Sequence, residues 1–236
     1  MPSKNSPFED RLKSVEERIE AAVRRSGRTR SEVKLVAVSK KFSASAIRQA
    51  YDAGLRDFGE NYVQEFAGKW PELSDLSDAR FHLIGHLQSN KARTACELFS
   101  VIQTADTPKV LQRLDAGAKE LDRRVEVLLE IKLSEEPAKA GADAREIPHL
   151  LEAAHSCANL KVTGLMTMPP WSEDAESSRP YFKRLAELAR KYQLGNLSMG
   201  MSDDFEVAIE EGATLIRVGT ALFGKRPPPK EPVSPV

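Results

Sequence analysis

The chain has 236 residues, of which 41% are apolar and 30% are charged, and its 35 lysines and arginines balance its 35 aspartates and glutamates. Such a balance is ordinary for a globular protein and argues against a general binder of nucleic acid or membrane surfaces. No apolar run approaches the roughly 18 residues of a transmembrane helix, and the N-terminal stretch has no apolar signal-peptide core. Cys96 and Cys157 lie far apart, as packing residues in a reducing cytoplasm would. We therefore expect a cytoplasmic protein with neither nucleic acid nor membrane as a partner.

Hydrophobic periodicity divides the chain into alternating helices and strands. Residues 8–25 are predicted to form an amphipathic helix, because apolar residues recur there at steps of three and four. Residues 33–38, VKLVAV, form a short β-branched run typical of a strand buried on both faces. The predicted strands are 33–38, 55–60, 81–85, 99–103, 125–132, 160–166, 197–199 and 213–218. The predicted helices that follow them are 44–53, 61–70, 87–98, 106–121, 144–158, 179–192 and 204–211. Polar loops are predicted over 134–143 and 172–178.

Eight strands that alternate with helices predict a parallel sheet with helical crossovers. Eight such units in about 225 residues are close to the usual size of a closed (β/α)8 TIM barrel. A doubly wound open sheet is the alternative. We expect residues 1–30 to form an N-terminal helix packed on the barrel, 31–225 to form the barrel, and 226–236 to be a proline-rich tail, extended or disordered.

Two lysines, Lys40 and Lys41, follow the first predicted strand. A lysine that points inward at the end of a buried strand tends to lose its proton, and a neutral amine is a nucleophile towards aldehydes. The alternative is that both lie on a solvated loop, and this segment by itself favours the loop. Because adjacent strand residues face opposite ways, only one of the two should enter the barrel.

The loops after the seventh and eighth predicted strands carry signals of a phosphate site. Loops at these positions commonly bind phosphate in TIM barrels. Ser202 is a predicted N-cap of helix 204–211, and helix N-termini bind phosphate through free N–H groups. Gly219 and Thr220 offer a second set of amides. The alternative is that Ser202 only caps its helix and that Gly219 only allows a turn.

Six motifs occur in the order AVSK, FGENYVQE, FHLIGHLQSNK, GLMTM, LSMGMSDDFEVAI and RVGTALFG. Together they closely resemble the YggS/PROSC family of pyridoxal phosphate (PLP)-binding proteins over residues 33–224. That family is similar to a free-standing barrel domain of alanine racemase. The resemblance implies a protein of intracellular PLP homeostasis rather than a dedicated enzyme. It also implies that Lys40 carries the cofactor as an internal aldimine.

The resemblance implies roles for the remaining cofactor-binding residues too. Ser202, Gly219 and Thr220 would hold the phosphate, Arg217 would face the pyridine nitrogen, and Asn61 would lie near the ring and its hydroxyl. A permanent cation beside the ring nitrogen disfavours the pyridinium, which leaves a weaker electron sink. Without the resemblance, the favoured interpretation of Arg217 is a strand-end arginine paired with a carboxylate such as Glu60.

Two other functions are open. A PLP-dependent amino-acid racemase needs acid–base groups on both faces of the substrate Cα, and the alanine racemase scheme takes the second one, a tyrosine, from another domain. We expect no such domain here, and the four tyrosines, Tyr51, Tyr62, Tyr181 and Tyr192, fall on predicted helices. The other function is a phosphate-binding barrel enzyme without PLP.

The remaining expectations concern metals, partners and unassigned residues. The four histidines form no zinc pattern, so we expect no metal. We expect a monomer whose candidate partners are PLP and apo PLP-dependent enzymes. Met166, Met168, Met199 and Met201 either line the ring pocket or pack in the core, and His82 is predicted to be a core histidine. The sequence assigns no role to His86, Gln88, Asn90 and Lys91.

Overall fold

A computed structural model describes residues 6–134, 136 and 140–225. The strands are β1 (Lys34–Val38), β2 (Asp57–Glu60), β3 (Arg80–Leu83), β4 (Val101–Ala105), β5 (Val125–Lys132), β6 (Ala142–Asp143), β7 (Leu160–Met166), β8 (Asn196–Ser198) and β9 (Leu215–Val218). All pairings are parallel, and the pairing of β9 with β1 closes eight of the strands into a barrel. The predicted (β/α)8 TIM barrel is confirmed, and the open sheet is wrong. The short β6 pairs with β5 inside the segment that was predicted to be a polar loop.

The helices surround this barrel. They are α1 (Pro7–Arg25), α2 (Ala44–Asp52), α3 (Val63–Lys69), α4 (Ala92–Leu98), α5 (Pro108–Glu120), α6 (Ile147–His155), α7 (Arg179–Lys191), α8 (Phe205–Glu210) and α9 (Thr220–Phe223). Within the described part of the chain, no helix is long and apolar enough to cross a membrane. The structure therefore has the predicted alternation, with α9 as an added turn after the last strand.

Several helices begin later than predicted, and the shifts of α3 and α4 alter the barrel rim. Helix α3 begins at Val63 rather than at residue 61, and α4 begins at Ala92 rather than at residue 87. The loops that precede them pack closely against each other. The contact is so close that a Cβ at Gly85 would lie 2.3 Å from the Asn61 carbonyl oxygen. Residues predicted to be helical therefore form the rim of the barrel instead.

The apolar core has two parts. The larger part fills the space between the barrel and its helices. The smaller part lies inside the barrel and contains Val36, Val101, Leu128, Met166 and Leu215. Because side chains alternate along a strand, residues of β9 with even numbers pack outward while Leu215 and Arg217 face the interior. The interior therefore combines apolar layers with buried polar side chains.

Helix α1 packs against α8 and α9. Its start is defined by a capping box between Ser6 and Glu9. Arg18 forms an ion pair with Glu206 at 2.6 Å, and Arg11 donates to the Leu222 carbonyl at 2.6 Å. The helix thus lies behind the loops that follow β8 and β9.

Both cysteines are buried and unpaired. Burial raises the pKa of Cys96 to about 12, so this thiol stays protonated and packs as an apolar group. The predicted proline-rich tail, 226–236, lies outside the described residues.

Candidate functional site

A cavity of about 230 Å³ opens at the carboxyl ends of the strands. All six residues predicted to bind the cofactor line it: Lys40, Asn61, Ser202, Arg217, Gly219 and Thr220. They come from the loops after β1, β2, β8 and β9 and, for Arg217, from β9 itself. The fold therefore assembles residues from both ends of the chain around one small space.

The two lysines after β1 have different surroundings. Lys40 is partly buried and lines the cavity, whereas Lys41 is exposed and does not. Lys41 has a φ of 66°, and its N–H donates to the Glu65 carboxylate at 2.6 Å. This turn of the backbone separates the directions of the two side chains.

A buried ion pair between Lys69 and Glu60 holds the residue before this turn. The Lys69 ammonium donates to Glu60 at 2.8 Å and to the Ser39 carbonyl at 3.2 Å, and the Ser39 hydroxyl donates to Glu60 at 2.7 Å. Burial raises the pKa of Glu60, and the charge and hydrogen bond of Lys69 oppose that shift. Residue 39, directly before Lys40, is therefore held by two side chains.

Arg217 supplies a fixed cation at the cavity. Its side chain is 3% exposed and donates to the Ser198 hydroxyl at 2.6 Å and to the Thr167 carbonyl at 2.9 Å. Burial lowers its pKa to about 10, although Asp204 and Glu130 oppose the shift, so it remains protonated at neutral pH. The interpretation of Arg217 as a partner of Glu60 is wrong.

The predicted phosphate residues converge on one hydroxyl. Ser202 Oγ accepts from the Gly219 N–H and the Thr220 hydroxyl, both at 3.4 Å, and from the Ala221 N–H at 3.5 Å. These long contacts leave the donors able to turn towards an anion in the cavity. Because the three groups lie on the loops after β8 and β9, they match the common phosphate position in such barrels.

The prediction that Ser202 caps a helix is wrong. Helix α8 begins at Phe205, with Asp204 at its N-cap position. The Asp204 carboxylate accepts the Met201 N–H at 2.7 Å and the Ser178 hydroxyl at 2.9 Å, which keeps residues 202–204 in a separate turn. Ser202 is thereby directed to the β9 loop instead of to the helix end.

Glycine is required just before this turn. Gly200 has a φ of 89°, and a Cβ there would lie 2.5 Å from the Cβ of Ala208. A larger residue would push α8 away from the end of β8 and move Ser202 with it.

The structure adds lining residues that were not predicted. Trp171 and Ile84 are new, and Trp171 is 75% exposed at the mouth. A tryptophan in a proline-containing loop directly after a strand is the sequence signal that could have found it. Of the four methionines considered, Met168 and Met201 line the cavity, whereas Met166 and Met199 are fully buried.

A second cavity, of about 350 Å³, adjoins the first through Asn61. It is lined by Tyr62, His86, Gln88 and Lys91, among others. Tyr62 precedes α3 and is 55% exposed, so the prediction that every tyrosine lies on a helix is wrong for this residue. As the described residues show, no tyrosine lines the cavity of Lys40.

The donor set suits a phosphorylated aromatic aldehyde. It offers an amine, converging hydroxyl and amide donors for an anion, and a cation. The side-chain oxygen of Asn61 is buried and has no hydrogen-bond partner, so it can accept a bond from a ligand hydroxyl. Apolar side chains of Ile84 and Met201 can contact a flat ring. The residues present therefore fit PLP.

Comparisons with known proteins identify the family of this chain. The family model for the alanine racemase N-terminal domain matches residues 11–227. A pyridoxal phosphate homeostasis protein of Pseudomonas aeruginosa is 44% identical over 94% of this chain and 96% of its own length. The pyridoxal phosphate homeostasis protein of Aquifex aeolicus is 42% identical over 92% of this chain and 97% of its own length. The structure of PipY from Synechococcus elongatus PCC7942 with PLP bound is 40% identical, covers 92% of this chain and 100% of its own, and superposes with a TM-score of 0.80. The chain therefore belongs to the YggS/PROSC family, whose members share the barrel of the alanine racemase N-terminal domain.

Proposed function

We propose that this protein binds PLP and serves intracellular PLP homeostasis, with Lys40 holding the cofactor through a Schiff-base linkage. The observation that carries the proposal is the convergence of Lys40, the Ser202–Gly219–Thr220 donors and Arg217 on one cavity. The curated relatives are named for PLP homeostasis, and PipY has a structure with PLP bound. All three observations support the same ligand.

Each residue has a distinct proposed role. Ser202, Gly219 and Thr220 bind the phosphate, Arg217 faces the pyridine nitrogen, and Asn61 lies beside the ring and its hydroxyl. The cofactor supplies an aldehyde that condenses with an amine, and Lys40 is the amine that lines the cavity. Because Arg217 stays protonated, it disfavours a proton on the ring nitrogen and keeps the ring a weak electron sink.

We propose a binding protein rather than a dedicated enzyme. The relatives carry names of homeostasis and not of catalysis. Within the described residues, the lining of the Lys40 cavity has no tyrosine to act on the second face of a substrate. No observation specifically favours the racemase.

The wider setting follows from the same function. We propose a cytoplasmic protein, which its two buried, unpaired cysteines support. We also propose a monomer that delivers PLP to apo PLP-dependent enzymes. Residues 1–30 are proposed as a helix that braces the barrel of residues 31–225, followed by a tail at 226–236.

Labelling tests the assignment of the lysine. Borohydride reduction of the PLP-loaded protein, followed by peptide mapping, should recover the pyridoxyl group on Lys40. The Lys41→Ala variant, as the matched control, should label normally, and Lys40→Ala should lose the label. A label on Lys41 in the unmodified chain would contradict the proposed Schiff base at Lys40.

A further inference from the structure

Five polar side chains form a continuous hydrogen-bonded chain across the barrel interior. Arg217 contacts Ser198 at 2.6 Å, and Ser198 contacts Gln103 at 2.6 Å. Gln103 contacts His82 Nδ1 at 2.9 Å, and His82 Nε2 contacts Asp57 at 2.8 Å. The chain begins at the cavity and ends at the first residue of β2, near the opposite end of the barrel.

The chemistry of its two ends fixes the direction of every bond. Arg217 can only donate, so the Ser198 hydroxyl accepts from it and donates its own O–H to Gln103 Oε1. The Gln103 amide nitrogen then donates to His82 Nδ1, and His82 Nε2–H donates to the Asp57 carboxylate, which can only accept. All bonds therefore point from the cation to the anion.

The charge states are consistent with this direction. Burial lowers the pKa of His82, which keeps the imidazole neutral with a single N–H. Burial would raise the pKa of Asp57, but the hydrogen bond from His82 and the nearby charges of Arg80 and Lys34 lower it below its usual value, so the carboxyl stays ionised. A neutral His82 with its proton on Nδ1 would place a lone pair against Asp57, so only the Nε2–H tautomer fits.

Arg217 is held by hydrogen bonds rather than by an ion pair. Among the described residues, no carboxylate lies within 4.0 Å of this buried guanidinium, and Asp204 and Glu130 act on it only at longer range. A buried cation without partners is strongly unfavourable. Bonds polarised in one direction strengthen one another, so the Asp57 charge acts on Arg217 through three intervening side chains.

We propose that Asp57, His82, Gln103 and Ser198 are positioning residues that hold the Arg217 guanidinium in place for the ring of PLP. This role rests on the proposed function, in which Arg217 faces the pyridine nitrogen. None of the four lines the cavity, so any effect they have on PLP binding must pass through Arg217 or the backbone.

Nitrogen-15 NMR of the PLP-free protein tests the chain itself. His82 should show a protonated Nε2 and an unprotonated, hydrogen-bonded Nδ1 at neutral pH. Gln103→Leu should shift the Nδ1 resonance towards the value of a free acceptor. A proton on Nδ1 in the unmodified protein would overturn the proposed direction of the bonds.

Binding measurements test the positioning role. Ser198→Ala should weaken PLP binding roughly tenfold, the loss of about one hydrogen bond to a charged group. It should also shift the absorption of the bound cofactor, whereas Ser198→Thr, which retains the hydroxyl, should restore both properties. Ser26→Ala is the control, because it removes a partly buried hydroxyl that donates to the Ala22 and Val23 carbonyls at the end of α1 and belongs to no hydrogen bond of this chain.

The outcomes separate this role from the proposed function. If borohydride labels Lys40 normally but Ser198→Ala binds PLP as tightly as the unmodified protein, with the same spectrum, the positioning role is wrong and the function stands. If the unmodified protein takes no label, the proposed function fails first. Melting temperatures should show that Ser198→Ala is folded, and Gln103→Leu provides a second break in the chain.

Discussion

At the scale of single residues, backbone direction decides which of two adjacent lysines can react. Lys40 lines the cavity, while the positive φ of Lys41 turns that side chain to the surface. Asparagine and glycine adopt such a φ more readily than lysine, and the bond from the Lys41 N–H to Glu65 holds it. A buried Glu60–Lys69 pair fixes the preceding residue, Ser39. Reactivity at this site therefore depends on a rigid turn.

Glu130 gives the folded protein a defined pH dependence. It is 3% exposed, and burial together with the charge of Asp106 raises its pKa from 4.5 to about 7. Since the folded state holds this proton more tightly, stability falls as pH rises from about 4.5 to about 7. At about 1.4 kcal/mol per pKa unit, the loss attributable to Glu130 is roughly 3 kcal/mol.

We expect Glu130→Gln to remove most of this loss. Urea unfolding of PLP-free protein at pH 5 and pH 8 measures it, and the variant should gain stability relative to the unmodified chain only at pH 8. Glu152→Gln, on an exposed position of α6, is the control and should change neither value. Parallel pH curves for the Glu130→Gln variant and the unmodified protein would contradict the assignment.

Ser202 is the central residue of the proposed phosphate site. We expect Ser202→Ala to weaken PLP binding by roughly 10- to 150-fold, because a hydrogen bond to a charged group contributes about 1.5–3 kcal/mol. Spectroscopic titration measures this change. Ser177→Ala, which alters an exposed hydroxyl bound to the Asp174 carbonyl, should bind normally. An unchanged Kd for Ser202→Ala would exclude this placement of the phosphate.

At the scale of elements, α1 connects the N-terminal part of the chain to the loops of the site. Arg18 donates to the Ser202 carbonyl at 3.0 Å, pairs with Glu206 and lies 4.3 Å from the Phe205 ring centre. Arg11 binds the Leu222 carbonyl at the end of α9. Two arginines of one helix thereby hold the elements that present Ser202, Gly219 and Thr220.

We expect Arg18→Met to weaken PLP binding roughly twofold to tenfold, because the bond from this partly exposed guanidinium to the Ser202 carbonyl contributes about 0.5–1.5 kcal/mol. Arg25→Met is a matched control, because Arg25 pairs with Glu210 of α8 at 2.7 Å and has no bond to the Ser202 loop. Both variants should lose similar, small amounts of stability. Equal Kd values for the two would show that α1 does not position the phosphate loops.

Patterns of residues predicted the strands better than the helix starts. β5 and β7 have the predicted bounds, because segments rich in leucine and valine between polar loops mark barrel strands clearly. Helix starts at the rim depend on contacts between loops, such as that of Gly85 with Asn61, which no local pattern contains. The same holds for β6, whose two residues pair only because β5 extends beyond the barrel rim.

The sequence predicted which residues form the site better than it predicted their hydrogen-bond partners. The strand-end positions of Lys40, Ser202 and Gly219 follow from the barrel and from the family motifs. The contacts around Arg217 do not, because its partners Ser198 and Thr167 lie 19 and 50 residues away in sequence, and Gln103, which accepts from Ser198, lies 95 residues from Ser198. Burial and tertiary packing, rather than local propensity, select those partners.

At the scale of the whole molecule, the barrel interior contains both an apolar core, which stabilises the fold, and a polar chain, which leads to the candidate ligand cavity. Apolar residues such as Val36 and Leu128 pack the centre, and the polar chain from Arg217 to Asp57 passes beside them. A cavity at the carboxyl end can thus contain a buried cation that has no ion pair among the described residues. In the proposed arrangement, where Arg217 faces the pyridine nitrogen, this cation limits the electron-withdrawing power of PLP, which suits storage of the cofactor better than catalysis.

We therefore expect the PLP-loaded protein to bind the cofactor without racemising alanine at an enzymatic rate. One reason is the Arg217 cation, and the other is the absence of a tyrosine from the described lining of the cavity. A positioned acid–base group typically contributes about 10²- to 10⁴-fold, so traces of slow exchange are compatible with this expectation. The test is incubation with L-alanine in deuterium oxide, following both chirality and deuterium uptake. Turnover on the order of 10 per second that disappears in Lys40→Ala would restore the racemase. Transfer of PLP to an apo-enzyme without such turnover would support the homeostasis function.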